Sequence, residues 1–128
     1  MITNEIIERA KRIKVFVVDM DGVLTDGRIV YSGYGDELRF FDVQDGFGIM
    51  LLNRAGIKTA IMTAKKSRIA MHRARDLKVA KIYHGFMDKL VPFNDILKRF
   101  KVSPEEVCFM GDDLIDICLL YTSDAADE

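Results

Sequence analysis

The sequence predicts an α/β protein, a three-layer Rossmann-like open sheet of parallel strands. Three observations carry this reading. The run Val15-Phe16-Val17-Val18 is apolar on both faces, which suits a central parallel strand covered by helices on each side. Beyond it, strand and helix signals alternate along the chain, the pattern of an open sheet with crossover helices. Polar clusters follow the apolar strands, and ligands of such sheets bind at the carboxyl ends of strands.

The elements run as follows. Thr3 to Lys11 reads as a short amphipathic helix with Ile6, Ile7 and Ala10 on one side. The first strand then ends abruptly in Asp19-Met20-Asp21-Gly22. Ile29-Val30-Tyr31 and Leu38-Arg39-Phe40-Phe41 flank the turn Ser32-Gly33-Tyr34-Gly35-Asp36, a β-hairpin flap after the first strand. Gly48 to Ala55 is read as helical with Gly56 at its end. Ile57 to Met62 is a strand, Ser67 to Leu77 a helix, Lys81 to Tyr83 a short strand and Lys89 to Phe100 a helix. Ser103-Pro104-Glu105-Glu106 has the form of a capped helix start. Val107 to Met110 is a further apolar strand, ending in Gly111-Asp112-Asp113.

With 128 residues the chain has room for one domain, and 49% hydrophobic with 30% charged residues describes a packed core under a solvated surface. A net charge of −1 gives no general attraction for nucleic acid or an anionic membrane. The N-terminal segment lacks the continuous apolar core of a signal peptide, and no apolar run approaches the ~18 residues that span a bilayer. Cys108 and Cys118 have no metal-type spacing, and Cys108 is expected to be buried in its strand. The expectation is a soluble cytoplasmic protein without a nucleic-acid or membrane partner.

The chemistry lies in the strand-end clusters: Asp19 and Asp21, then Thr63, then Lys89, then Asp112, Asp113 and Asp116. Carboxylates gathered at one sheet edge repel unless a cation lies among them, and an oxygen-ligated Mg²⁺ fits that composition. Asp112 is expected to complete the metal site. Asp19, at the end of the first strand, is placed to attack phosphorus and form an acyl phosphate. Asp21 can protonate the departing oxygen and later deprotonate water. Thr63 and Lys89 are expected to hold the phosphoryl oxygens, and Gly22 lets backbone amides approach them. Lys65 and Arg73 are read on roughly one face of the helix after Thr63, two turns apart. His72 and His84 are read as surface or turn residues.

This order of motifs resembles the haloacid dehalogenase superfamily of phosphotransferases: DMDG at 19–22, Thr63 closing IMT, Lys89, and GDDLID at 111–116. The resemblance covers roughly Lys14 to Leu120. DMDGVLTDGRI, DVQDGFGI at 42–49 and GDDLID are similar to the capless branch that includes 3-deoxy-D-manno-octulosonate 8-phosphate phosphatases. It implies no cap domain, a magnesium-dependent sugar-acid phosphatase of lipopolysaccharide precursor synthesis, and metal binding by Asp19, Asp21 and Asp112. It also implies substrate contacts from Asp21, Asp42, Val43, Gln44, Asp45, Gly46, Lys65, Arg73 and Lys89. Members of that branch close their sites as homotetramers, an assembly to which Tyr31, Tyr34 and Phe40 would be suited.

The chain departs from the family pattern at three places. Ala64-Lys65 stands where relatives carry Gly-Arg, and Met50 where some carry arginine. After Leu120 the chain ends in Tyr-Thr-Ser-Asp-Ala-Ala-Asp-Glu, unlike the family's continuation. The expectation is therefore one phosphatase domain over 1–120, truncated at its C-terminal edge, with a non-family tail at 121–128. The competing readings are a phosphatase for a nine-carbon sugar-acid phosphate, a phosphate-accepting receiver domain and a non-catalytic oligomerisation domain. The receiver reading is disfavoured by motif order: a receiver's acidic pair comes first and its phospho-acceptor stands alone on a middle strand, whereas here the DxD comes first, Thr63 precedes Lys89 and the second acidic cluster comes last.

Overall fold

The computed structural model describes residues 3–111. Four parallel strands form the main sheet: β1 (Val15–Val18), β4 (Lys58–Thr63), β5 (Lys81–His84) and β6 (Val107–Met110), in the order β5-β4-β1-β6. Between β1 and β4 lie a two-stranded hairpin, β2 (Val30–Tyr31) with β3 (Glu37–Leu38), and the helix α2 (Val43–Arg54). α1 (Asn4–Lys11) precedes β1, α3 (Arg68–Leu77) links β4 to β5, and α4 (Leu90–Arg99) follows β5.

Side chains alternate across the sheet, and the two faces build two cores. Val15 and Val17 of β1, Ala60 and Met62 of β4 and Tyr83 of β5 pack with Phe93 and Ile96 of α4. On the other face Val18 and Ile61 pack with Ile49 of α2 and with Ala70, Ala74 and Leu77 of α3. The predicted three-layer α/β sandwich is thus present. β1 is central because it pairs in register with β4 on one side (Val18 opposite Ile61) and β6 on the other (Val18 opposite Met110).

Several elements differ from the sequence reading. α2 begins at Val43 rather than Gly48, because Asp42 caps it by accepting a 2.8 Å hydrogen bond from the Gln44 amide. Gly46 and Gly48, weak helix formers, concealed that first turn. Gly46 also lets α2 approach α3: a Cβ there would lie 3.3 Å from Leu77 Cδ2, so that side chain would have to shift by a few tenths of an ångström. Pro104–Glu106 is only a 3₁₀ turn, since Val107 enters β6 at once; Glu106 Oε1 accepts from the Ser103 amide at 3.0 Å. α1 leaves Ile6 and Ile7 exposed instead of docking an apolar side.

Cys108 is exposed, not buried. Among the described residues β6 pairs only with β1, and its outward residues Cys108 and Met110 face away from α4. Asp112, Asp113, Asp116, Cys118 and the 121–128 tail, with the expected truncated edge, lie outside the described residues. No helix among the described residues is long and apolar enough to cross a membrane.

The Tyr83 hydroxyl donates to Asp95 of α4, which also accepts from Arg99 Nε at 3.3 Å. Burial, and then that hydrogen bond, pushes Tyr83 up from 10.0 to about 12. A raised acid stabilises the fold while protonated, so this contribution is complete below about pH 10 and disappears as pH rises toward about 12. Phenolate absorbance should therefore show a late-titrating tyrosine that Tyr83→Phe removes. Ile61→Ala, at a fully buried strand position, should cost about 2–5 kcal/mol in urea denaturation.

Candidate active site

The carboxyl edge of the main sheet collects the polar residues. Asp19 follows β1 directly, and its backbone amide still donates to Met110 carbonyl at 3.0 Å, so the sheet ladder fixes its position. The residue is only 6% exposed. A buried carboxylate is costly unless paired. Here Oδ1 accepts from the Met20 amide at 2.8 Å and lies 3.4 Å from Lys89 Nζ. Lys89 is itself 3% exposed and stands at the start of α4, with its ammonium 5.8 Å from the Phe109 ring centre. The Leu90 amide donates to Asp88 Oδ1 at 3.0 Å, fixing the turn that carries Lys89.

The DMDG loop has its own scaffold. Gly22 adopts φ +84°, a left-handed conformation that a side chain would resist. The amides of Leu24 and Thr25 return to the Met20 carbonyl at 2.9 and 3.2 Å. The buried Thr25 hydroxyl accepts from the amides of Gly22 and Gly27 at 3.2 and 3.1 Å. Sequence reasoning missed Thr25, although a threonine between a tight turn and Asp-Gly is a side chain suited to binding loop amides.

Thr63 is the last residue of β4 and is buried. It lines a small cavity together with Met20, Asp21, Arg39, Lys65 and Ser67. Arg39 was not predicted as a site residue. It follows β3, and its Nε donates to Asp21 Oδ1 at 2.8 Å. Its Nη1 lies 3.3 Å from Glu37 Oε2, without hydrogen-bond geometry to any partner. Glu37 in turn accepts from Lys65 Nζ at 2.5 Å. Lys65 therefore holds the Glu37 carboxyl below the usual range, and Glu37 raises Lys65. Burial alone would lower Arg39, but Asp21 and Glu37 together raise it.

One expectation fails in detail. Lys65 is not on α3, because Ser67 is its N-cap, accepting from the Ala70 amide at 3.3 Å. Lys65 and Arg73 therefore do not share a helix face. Lys65 reaches the hairpin, whereas Arg73 donates to the Asp42 carbonyl at 3.2 Å and lies 5.0 Å from the Phe41 ring centre. Arg73 thus bridges α3 to the start of α2. Asp42, Val43, Gln44 and Asp45, with the 23–26 loop and Phe40 and Phe41, line an open groove of about 700 Å³. Gly46 contributes to the α2–α3 approach rather than to that groove. The histidines stay peripheral: His72 is exposed, and His84 Nδ1 accepts from the Ser67 amide at 3.4 Å.

Asp19 and Asp21 supply hard oxygen donors of the kind magnesium takes. Among the described residues no group of three His, Cys, Asp or Glu side chains could hold a metal ion, and the third expected ligand, Asp112, lies outside them.

No family profile matches the sequence. Over 115 residues the chain is 38% identical to 3-deoxy-D-manno-octulosonate 8-phosphate phosphatase KdsC of Yersinia pestis, covering 90% of this chain and 62% of that protein. The chain thus spans about three fifths of the length of the curated relatives it matches. A putative 3-deoxy-D-manno-octulosonate 8-phosphate phosphatase from Vibrio cholerae superposes with a TM-score of 0.90 at 38% identity, over 94% of this chain and 67% of that one. The chain belongs to the haloacid dehalogenase superfamily.

Within that superfamily the likeness is to the octulosonate phosphatases. The Moraxella catarrhalis enzyme of that name, solved with a magnesium ion, a phosphate ion and a KDO molecule, gives a TM-score of 0.86 at 39% identity over 90% of this chain and 66% of its own. Membership in the superfamily removes the receiver-domain reading.

The Thr25 scaffold can be tested without any substrate. Thr25→Val keeps the shape but strips both loop amides of their acceptor, and should cost about 1–3 kcal/mol in urea denaturation.

Proposed function

We propose that the chain is a magnesium-dependent phosphatase of a sugar-acid phosphate, 3-deoxy-D-manno-octulosonate 8-phosphate, acting through an aspartyl-phosphate on Asp19. The observation that carries the reading is the buried Asp19 at the end of the central strand, with the Lys89 ammonium 3.4 Å from its Oδ1. Supporting it are the similar phosphatases, one of them solved with magnesium, phosphate and KDO.

In this reading an Asp19 carboxylate oxygen forms a bond to phosphorus as the bond to the sugar oxygen breaks, and the Asp21 carboxyl gives its proton to that oxygen. Asp21, now a carboxylate, then takes a proton from water. The water oxygen bonds to phosphorus, and the Asp19 acyl-phosphate bond breaks, releasing inorganic phosphate. Lys89 and the Thr63 hydroxyl hold phosphoryl oxygens through the transfer. Asp19, Asp21 and Asp112 would hold magnesium, which when bound offsets the charge gathered by carboxylates and phosphate.

The sugar acid is assigned to the groove beside the start of α2. Asp42, Val43, Gln44, Asp45 and Gly46 form the first turn there, Arg73 braces it, and a helix start favours anions. Lys65 would approach from the hairpin side, exchanging Glu37 for substrate. The wider assignment is a cytoplasmic enzyme of lipopolysaccharide precursor synthesis with a single domain over 1–120. It is assigned a homotetrameric assembly, a reading supported by the exposed Tyr31, Tyr34 and Phe40 of the hairpin.

Phosphate release from 3-deoxy-D-manno-octulosonate 8-phosphate, measured with and without Mg²⁺, tests this directly. Release should require the metal and should fall by at least about 10³-fold in Asp19→Asn. Metal-independent release, or an active Asp19→Asn protein, would refute the reading.

A further inference from the structure

Arg39 is a fully charged side chain placed where hairpins normally put apolar ones. Its side chain is only 3% exposed, while its neighbours Leu38 and Phe40 face solvent. The alternation along this strand is therefore inverted, with the charge inward and the apolar residues outward. Burying a guanidinium is costly, so its partners must be worth that cost. One partner is Asp21, at 2.8 Å from Nε, and the other is Glu37, at 3.3 Å from Nη1. Among the described residues no other side chain or backbone amide donates to Asp21. The hairpin strands are two residues each, so β2 and β3 alone cannot fix Arg39 in space.

We propose that Arg39 is a positioning residue for the reaction, pinning the carboxyl group of Asp21 through Nε so that its other oxygen serves the leaving group and then the water. This rests on the phosphatase reading above. The bond from Nε reaches Oδ1 and leaves Oδ2 available for proton exchange. Glu37 lies 3.3 Å from Nη1 without a hydrogen bond to it and is held by Lys65, so it ties the hairpin to Lys65 while the bond from Nε alone fixes Arg39 on Asp21. The hairpin is thereby tied to the DMDG loop by a chain of charges that ends on the proton-transfer residue. Without Arg39 the half-exposed Asp21 would rotate freely, and proton delivery would lose its geometry.

The leaving group separates this role from a structural one. An alkyl phosphate leaves as a strongly basic oxygen that needs a proton, whereas p-nitrophenol leaves with little help. The full chain with magnesium is assayed on 3-deoxy-D-manno-octulosonate 8-phosphate and on p-nitrophenyl phosphate. Arg39→Met should lower kcat/KM, which reports the first phosphoryl transfer and not the water step that both substrates share, by about 10²-fold on the sugar phosphate and by less than about threefold on the aryl phosphate. Arg39→Lys should recover part of the loss. In the metal-free protein Arg39→Met should also speed amide exchange over residues 30–38, the segment its side chain anchors.

Glu37→Gln is the control. It loosens the hairpin while leaving Arg39 against Asp21, so the ratio of the two rates should stay near that of the parent. Equal losses of kcat/KM on both substrates, no change in hairpin exchange, or the same selective loss in Glu37→Gln would overturn the proposal. If Arg39→Met does not fold by circular dichroism, Arg39→Gln carries the same comparison. A parent protein that hydrolyses neither substrate, or an active Asp19→Asn, shows instead that the phosphatase reading has failed, and the role of Arg39 falls with it.

Discussion

The rest of the site depends on one buried charge pair. Asp19 is carried to the middle of the sheet edge by β1, the strand with partners on both sides, and is removed from water there. There the Met20 amide and the Lys89 ammonium both meet its Oδ1. Lys89 reaches it only because β5 and α4 are separated by a turn that Asp88 closes. The topology therefore serves electrostatics: a change in strand order would leave one of two buried charges without the other.

Around that pair the chain uses two kinds of cohesion. The sheet and its helices are held by apolar contact on both faces, with Ile61, Met62 and Ile96 wholly enclosed. The hairpin is held differently. Tyr34 is 96% exposed and Tyr31, Leu38 and Phe40 also face out, while the contacts inward are Arg39 to Asp21 and Glu37 to Lys65. The scaffold is thus dry and the flap is ionic, with Asp21 at the junction between them.

The sequence was most readable where one physical signal dominated. Val15–Val18, apolar on both faces and β-branched, suited a strand covered on both sides, and its abrupt polar end marked Asp19 and Asp21. Thr63 and Lys89 were legible for the same reason, each closing or following an apolar run. The start of α2 was hidden because Gly46 and Gly48 weaken helix propensity, while the feature that favours a small residue at 46, the closeness of Leu77, is a tertiary contact. Lys65 was placed on the wrong element because the cap at Ser67 outranked a charge pattern that ran through it. Arg39 was passed over because a charge within an apolar strand reads as its solvent side, and only the fold shows that the hairpin is turned the other way.

That reversal has a consequence for how the molecule responds to its medium. Apolar burial is nearly indifferent to simple salt, whereas attraction between partly solvated ions is screened within about 8–10 Å at physiological ionic strength. Lys65, with half its surface in water, sits on the screened side of this divide, and Arg39, enclosed, sits on the protected side. Rising salt would therefore loosen the flap from its outer end first while leaving its innermost contact and the sheet beneath almost untouched.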